Sequence, residues 1–213
     1  MNIQPIVEGH GEVTAVPVLL RRLRDEAQCF SLDVNSPIRR KRSQLVQETQ
    51  LRNSIRLARL QPQCGGIIVL LDSDDDCPKE LMPTLQAIAQ SEAGPIPCLV
   101  VLAHREYEAW FLASIESLRR KRGVRADAES HPRPEEPRDA KGQLEMRMEK
   151  GKSYHETSDQ AALSAEFDMK PAYRQCRSFR RMVKAYIEIA VALGANLPGP
   201  WPPADWNPQP EEH

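Results

Sequence analysis

The stretch Gly66-Ile67-Ile68-Val69-Leu70-Leu71-Asp72-Ser73-Asp74-Asp75-Asp76 decides the fold of this chain, because an unbroken apolar run leads straight into a run of acids. A short continuous apolar run of this kind predicts a strand that is buried on both faces of a parallel sheet. The carboxyl ends of such strands form the edge at which open α/β sheets hold their ligands. We therefore expect the aspartates to lie at a binding edge.

A second apolar run also leads into acids, in Ile6-Val7-Glu8-Gly9-His10-Gly11-Glu12. If the two strands are neighbours in a parallel sheet, Glu8 lies beside Asp72. Carboxylates this crowded repel one another, and a bound divalent cation such as Mg²⁺ or Mn²⁺ is the simplest group that makes them compatible. The predicted metal ligands are Glu8, Glu12, Asp72, Asp74 and Asp76.

The aspartate run has other interpretations. An acidic surface loop before a helix is favourable by itself, because negative charge stabilises a helix N-terminus. An EF-hand is weakened because Cys77 stands where that loop needs glycine. A phosphatase of the haloacid dehalogenase type is weakened because its acidic motif would follow the first strand. The metal site and the surface loop both stay open at this point.

Apolar runs alternate with helical patterns over residues 1–122, and this alternation predicts a mainly parallel, Rossmann-like sheet flanked by helices. The predicted strands cover residues 3–7, 30–34, 66–71 and 98–103. The predicted helices cover residues 13–27, 43–60, 80–91 and 105–121. Pro5 argues against the first strand, because proline cannot donate to a strand ladder.

The rest of the chain predicts a helical C-terminal elaboration over residues 123–196 that packs on the α/β domain of residues 1–122. It begins with a loop rich in proline and charge, and helical patterns follow over residues 158–167 and 179–193. Residues 197–213 hold six prolines and two tryptophans. We expect this segment to be an irregular proline-rich tail.

Charge is balanced overall but segregated along the chain of 213 residues, whose formal net charge is −1. Basic runs flank the acidic segments and predict contacts with a phosphate backbone, although solvated helix faces are the alternative. The candidate nucleic-acid-binding residues are Arg119, Arg120, Lys121, Arg122, Arg177, Arg180 and Arg181. Five widely spaced cysteines, no signal peptide and no long apolar run predict a cytoplasmic protein that does not enter a membrane.

The two acidic segments together resemble the Toprim domain, in which a Glu-Gly turn follows one strand and an alternating aspartate motif follows another. The resemblance covers roughly residues 1–115. It implies that Glu8 and the aspartates Asp72, Asp74 and Asp76 carry Mg²⁺ and act on phosphodiester bonds. It also matches Glu12 to a second acid of nuclease-like members.

The stretch Arg105-Glu106-Tyr107-Glu108-Ala109-Trp110-Phe111-Leu112-Ala113 is similar to a segment of a small Toprim-like family of unknown function. Members resemble OLD-type nucleases and are often encoded beside an ATPase, in the manner of phage-defence modules. The resemblance implies a catalytic role for Glu108, and for Lys141 as a cation beside the reacting phosphate. Helix surface is the alternative for Glu108, and a loop lysine for Lys141.

The sequence thus predicts a metal-dependent endonuclease that works on nucleic acid with a separate ATPase partner. The chain has no GxxxxGK[ST] loop, so the ATPase would be another subunit. The first alternative is a non-catalytic Toprim-like subunit that docks on an ATPase and senses nucleic acid. The second is a hydrolase of small phosphate esters.

Overall fold

A five-stranded parallel sheet forms the centre of the protein, whose structure is a computed structural model that describes residues 1–208. The strand order is β2-β1-β4-β5, and β3 also pairs with β1. Every pairing is parallel, which confirms the predicted α/β class. The strands are β1 (Asn2–Val7), β2 (Asp33–Val34), β3 (Ile38–Arg39), β4 (Cys64–Asp72) and β5 (Cys98–Ala103).

Helices cover both faces of the sheet. They are α1 (Glu12–Glu26), α2 (Arg42–Leu45), α3 (Glu48–Arg59), α4 (Pro78–Ala93), α5 (Ala109–Leu112), α6 (Ile115–Leu118), α7 (Ala140–Glu145), α8 (Glu156–Glu166), α9 (Met169–Gln175) and α10 (Arg177–Ala192). Ile68 and Leu70 of β4 belong to the apolar core that contains α1 and α10. Val69 and Leu71 belong to the core that contains α3 and α4. Alternate residues of β4 therefore enter opposite cores, which explains its unbroken apolar run.

Pro5 is accommodated inside β1 because of a gap between two partner strands. β2 pairs with Asn2 and Ile3, whereas β3 pairs with Ile6 and Val7. Pro5 faces the interval between them, where the ladder needs no donor. The predicted first strand is confirmed, and the objection that its proline raises is answered by this gap.

The predicted helix over residues 105–121 is wrong, since this segment contains only the one-turn helices α5 and α6. Arg105 has a left-handed φ of 65°, which a continuing helix excludes. At the break between the two helices, Ser114 Oγ donates to the backbone oxygen of Asp168 at 2.6 Å, and the backbone N–H of Ile115 donates to Ser130 Oγ at 3.1 Å. Contacts distant in sequence thus replace helical hydrogen bonds here.

The predicted helix over residues 43–60 is interrupted between α2 and α3. Leu45 and Leu51 are both fully buried, yet on one continuous helix their six-residue spacing would place them about 120° apart. A break lets both side chains reach the sheet. The predicted strand over residues 30–34 shrinks to Asp33–Val34, and Phe30 is 70% exposed.

The proline-rich tail lies along α9 and α10 as far as the structure describes it. Trp206 is buried, with its ring 5.7 Å from that of Tyr173 and 5.8 Å from that of Trp201. A 3₁₀ turn, Ala204–Trp206, positions it. The remainder of the predicted tail, residues 209–213, lies outside the described residues. Over residues 1–208, the helices are all too short or too polar to cross a membrane.

Candidate functional site

Two strand ends meet at one edge of the sheet. β1 and β4 are parallel neighbours with Val7 opposite Leu70, so Glu8 and Asp72 lie close together just beyond this pair. One carboxylate oxygen of Glu8 (Oε2) accepts the backbone N–H of Asp72 at 3.3 Å. Burial raises the pKa of Glu8, and the N–H of Asp72 opposes that shift. The first two predicted ligands are therefore in direct contact.

Glu12, the first residue of α1, closes the turn between β1 and α1. Its Oε2 accepts the backbone N–H groups of Glu8 and Gly9, both at 2.9 Å. The residue is only 3% exposed. Burial raises its pKa to about 8, although the two N–H groups oppose the shift. Glu12 thus shapes the loop that carries Glu8 and adds a buried carboxyl group to the same edge.

The glycines of this turn are required by the close approach of α8. A Cβ at Gly9 would lie 2.8 Å from Glu156 Oε1, and a Cβ at Gly11 would lie 2.6 Å from the backbone oxygen of Glu156. Contacts this short force the neighbour to move. The close packing of α8 against this turn also brings Glu156 to the site.

Asp72, the last residue of β4, has a buried oxygen that nothing satisfies. Its Oδ1 has no hydrogen-bond partner within the described part of the chain. Burial raises the pKa of Asp72, and the carboxylates of Glu12, Glu108 and Glu8 raise it further. An unpartnered buried polar atom is costly, and in a folded protein it calls for an explanation.

Glu108 lies on the inner side of the same cluster. It is 2% exposed, and its Oε1 accepts the Tyr154 hydroxyl at 2.8 Å and Gln160 Nε2 at 3.2 Å. Burial raises its pKa. Glu108 is the residue before α5, so the alternative of exposed helix surface is wrong for it.

Lys141 brings a positive charge to the cluster from the start of α7. Its Nζ lies 2.8 Å from Glu156 Oε2, and its backbone N–H donates to Glu106 Oε2 at 2.8 Å. Burial disfavours the ammonium, but the hydrogen bond to Glu156 and the nearby carboxylates outweigh it and raise the pKa of Lys141. The amine is a fixed cation rather than a free loop lysine.

Arg42 occupies the outer side of the aspartate run. Its Nε lies 3.1 Å from Asp74 Oδ2 and donates to the backbone oxygen of Asp72 at 3.0 Å. Its Nη2 pairs with Asp76. Asp75 turns to other arginines, with Arg105 Nη1 at 2.8 Å. The three exposed aspartates are therefore matched by guanidinium groups.

The structure brings the predicted site residues to one edge but divides them between different partners. Glu12 and Glu108 are buried and Glu8 and Asp72 are half-buried, whereas Asp74 and Asp76 are exposed and pair with Arg42. Within residues 1–208, no three His, Cys, Asp or Glu side chains are arranged as a ready-made set of metal ligands. The proposed ligand set therefore remains a prediction.

Sequence reasoning missed several members of this site. Tyr154, Glu156 and Gln160 come from the C-terminal elaboration, and Arg42 comes from the segment after β3. Glu156 and Gln160 are four residues apart, which places both on one face of α8. Nothing local in the sequence indicates that this face meets the glycine turn after β1.

Most of the predicted nucleic-acid-binding residues are engaged within the fold. Arg119 Nε donates to the oxygen of Ala128, Lys121 pairs with Glu166, and Arg122 donates to the oxygen of Ser158, while Arg180 donates to the oxygens of Tyr173 and Arg174. Arg120 is exposed. Arg177 and Arg181 line a surface cavity beside β5. Binding by these residues remains a prediction.

Comparison with known proteins gives one match. The family described as "Domain of unknown function (DUF4276)" matches residues 7–185, which include β1 from its last residue through most of α10. No curated protein and no solved structure matches the chain. Since the match spans most of its length, the chain belongs to the DUF4276 family.

Proposed function

We propose that this protein is a Toprim-like nuclease that hydrolyses phosphodiester bonds of nucleic acid with the help of Mg²⁺ or Mn²⁺. The observation that supports this most is the buried oxygen of Asp72, which has no partner within residues 1–208. It lies among the carboxyl groups of Glu8, Glu12 and Glu108. Oxygen ligands of this kind suit a hard divalent cation, and a cation both satisfies the atom and offsets the repulsion.

Glu8 and Asp72 would hold the cation in this proposal. Glu12, together with Asp74 and Asp76, completes the proposed donor set. Bound at such a site, a divalent cation lowers the pKa of a coordinated water and stabilises charge on a phosphate oxygen. Arg42 pairs with Asp74 and Asp76, so these two acids would have to leave Arg42 to bind a cation.

The protein's own residues supply position and charge. Tyr154 and Gln160 hold Glu108 in place, which fixes a carboxyl group next to Asp72. Lys141 keeps its proton because Glu156 and the other carboxylates stabilise it. In the proposed reaction its ammonium stabilises negative charge on the reacting phosphate. The site therefore combines acidic ligands with one fixed cation.

A separate ATPase subunit belongs to the proposal, because the similar small Toprim-like proteins are often encoded beside one in phage-defence modules. The non-catalytic alternative is favoured by a different observation. Asp74 and Asp76 already have a partner in Arg42, as acids of a merely structural loop would. In that alternative the protein docks on the ATPase and senses nucleic acid without cutting it.

The test is an assay of purified protein on supercoiled plasmid, single-stranded DNA and RNA with Mg²⁺ or Mn²⁺, alone and with the product of a neighbouring ATPase gene. Asp72→Asn should lower the cleavage rate by about 10²-fold or more, because it removes a charged ligand. Asp127→Asn is the matched control, since Asp127 is an acid with a 79% exposed side chain whose nearest cation, Arg125, lies 3.7 Å away. It should cleave like the wild type.

Equal cleavage by the wild type and Asp72→Asn would contradict the proposal and indicate a contaminating nuclease. Absence of cleavage with the ATPase present, when the protein binds nucleic acid and the ATPase, would favour the non-catalytic alternative. Faster hydrolysis of aryl phosphates than of nucleic acid would favour a hydrolase of small phosphate esters.

A further inference from the structure

We infer that a groove beside the edge strand β5 binds single-stranded nucleic acid and leads it to the carboxylate cluster. This inference rests on the proposed function, because it names the form of substrate that the site would receive. The β5 groove is defined by residues of α4, β5 and α10 and by the residue that follows β5. They are Lys79, Met82, Leu102, His104, Arg177 and Arg181.

The groove is large enough for an unpaired nucleotide and its neighbours. One cavity of about 520 Å³ lies between α4 and α10. A second cavity, of about 580 Å³, is lined by Arg174 and by Arg133, which pairs with Glu136 of the same cavity at 3.0 Å. His104 and Glu135 line both cavities, so the two adjoin and form an extended depression.

The rim of the groove carries uncompensated positive charge. Lys79 and Arg177 are exposed, and neither forms an ion pair with another of the 208 described residues. Arg181 pairs with Glu188 only at 3.4 Å, and both side chains are partly exposed. Cations spaced along a groove in this way suit successive phosphates of a nucleic-acid backbone.

The one carboxylate shared by both cavities, that of Glu135, is already occupied. It accepts the backbone N–H of Arg177 at 2.8 Å and that of Ser178 at 2.9 Å, and it also accepts the Ser178 hydroxyl. Glu135 therefore caps the start of α10. The positive end of the α10 dipole partly offsets the negative charge that Glu135 presents to a bound phosphate.

Apolar side chains line the groove between its cations. Met82 is half-buried, and Leu102 is 5% exposed at the end of β5. An unpaired nucleotide matches this combination, because its base presents an apolar face while its phosphate is anionic. A duplex keeps its bases stacked inside and offers mainly phosphates to such a surface. The groove thus favours a single strand.

Gln86 and Gln90 cover the first half of the β5 edge. Gln86 donates to the oxygen of Cys98 at 2.7 Å and accepts the N–H of Val100 at 2.8 Å, while Gln90 accepts the N–H of Cys98 at 3.0 Å. The groove begins at Leu102, where this cover ends. Edge strands are commonly protected by such devices, so the uncovered end is accessible to a ligand.

The groove lies next to the acidic edge of the sheet. Cys77, which lines it, follows Asp76 in the chain. His104 is the residue before Arg105, whose Nη1 donates to the backbone oxygen of Asp74 at 2.9 Å. A strand that lies across Arg177 and Lys79 would therefore continue past the aspartates.

The test measures binding of fluorescein-labelled 20-nucleotide dT and rU strands, and of a 20-base-pair duplex, by fluorescence anisotropy in EDTA. EDTA separates binding from any metal-dependent cleavage. We expect Lys79→Glu/Arg177→Glu to weaken single-strand binding by about tenfold or more, because it removes two phosphate contacts and adds two repulsive charges. Lys150→Glu/Lys152→Glu changes two exposed cations near the turn at Gly151 in the same way, and it should change affinity by less than about twofold. Circular dichroism confirms that both variants fold.

Equal binding by the two double variants would overturn the inference, as would duplex binding as tight as single-strand binding, or no binding of either strand by the wild type. Displacement of the oligonucleotide by polyglutamate at equal charge concentration would also overturn it and indicate an acidic peptide as ligand. The same variants distinguish a failure of this inference from a failure of the proposed function. Groove-dependent binding without cleavage in Mn²⁺ supports this inference but not the nuclease, whereas cleavage that is unchanged in Lys79→Glu/Arg177→Glu supports the nuclease and not the groove.

Discussion

The acids at the carboxyl edge of the sheet fall into a buried group and an exposed group, and the two groups differ in how far cations match their charge. The buried group is Glu8, Glu12, Asp72 and Glu108, of which Glu8 and Asp72 are half-buried. These carboxyl groups mainly face one another and neutral donors, and Lys141 is the cation near Glu108. The exposed group is Asp74, Asp75 and Asp76, whose side chains are 58%, 73% and 55% exposed and pair with arginines. The same residue types thus sit in two different electrostatic environments a few residues apart.

The difference shows where a cation is needed. Exposed ion pairs are screened by water and stabilise little. Buried carboxyl groups without a cation either keep a proton or repel one another, and each choice costs free energy. A divalent cation therefore stabilises the buried group more than it stabilises the exposed group. The exposed aspartates nevertheless form the more conspicuous motif in the sequence.

The largest expected effect is a pH dependence of stability that arises from the buried group. Burial raises the pKa of Glu12 from 4.5 to about 8, so the folded state holds a proton that the unfolded state releases above pH 4.5. The stability from this group is therefore full at low pH and is lost as the pH rises from about 5 to 8. In EDTA, the free energy of unfolding of the wild type should therefore fall between about pH 5 and pH 8. In Glu12→Gln this fall should be smaller by up to about 4 kcal/mol.

Urea unfolding at several pH values measures this effect. Asp75→Asn is the control from the exposed group, and it should keep the wild-type pH dependence. Added Mn²⁺ should shrink the loss in the wild type, because a bound cation favours the ionised carboxylates. If the unfolding free energies of Glu12→Gln and the wild type depend on pH in the same way, the buried group does not differ from the exposed group as we expect.

A smaller effect is expected from the hydrogen bond that orients Glu108. Tyr154→Phe removes the hydroxyl that donates to Glu108 at 2.8 Å, and it should lower the unfolding free energy by about 1–2 kcal/mol. The counterpart from the exposed group is Arg138→Gln, which breaks a 3.4 Å pair with Asp75 between side chains that are 77% and 73% exposed. It should change stability by less than about 0.5 kcal/mol. A larger decrease in unfolding free energy for Arg138→Gln than for Tyr154→Phe would contradict the expected order of the two groups.

The sheet and its two acidic strand ends could be predicted because they depend on local patterns. Apolar runs long enough for buried strands, each followed by acids, predict β1 and β4, and the observed pairing of these strands places Glu8 beside Asp72. Pro5 argued against β1 only because the split between β2 and β3 is not visible in the sequence.

Arg42, Tyr154, Glu156 and Gln160 could not be predicted as members of the site, because they come from elements distant in sequence. Arg42 reaches Asp74 over 32 positions, and Tyr154 reaches Glu108 over 46. Periodicity also failed for residues 105–121, where bonds from Ser114 and Ile115 to other segments outweigh helix propensity. Burial separates Asp72 from Asp75, and burial is a property of the whole fold.

The most direct test of the central claim is a titration of Mn²⁺ monitored by electron paramagnetic resonance, with the wild type, Asp72→Asn and Asp75→Asn compared at one pH. If the buried group is the metal site, the wild type and Asp75→Asn should bind Mn²⁺ with affinities within about threefold of each other. Asp72→Asn should bind at least about tenfold more weakly. Equal affinities of Asp72→Asn and the wild type, or no binding by the wild type at millimolar Mn²⁺, would contradict the claim.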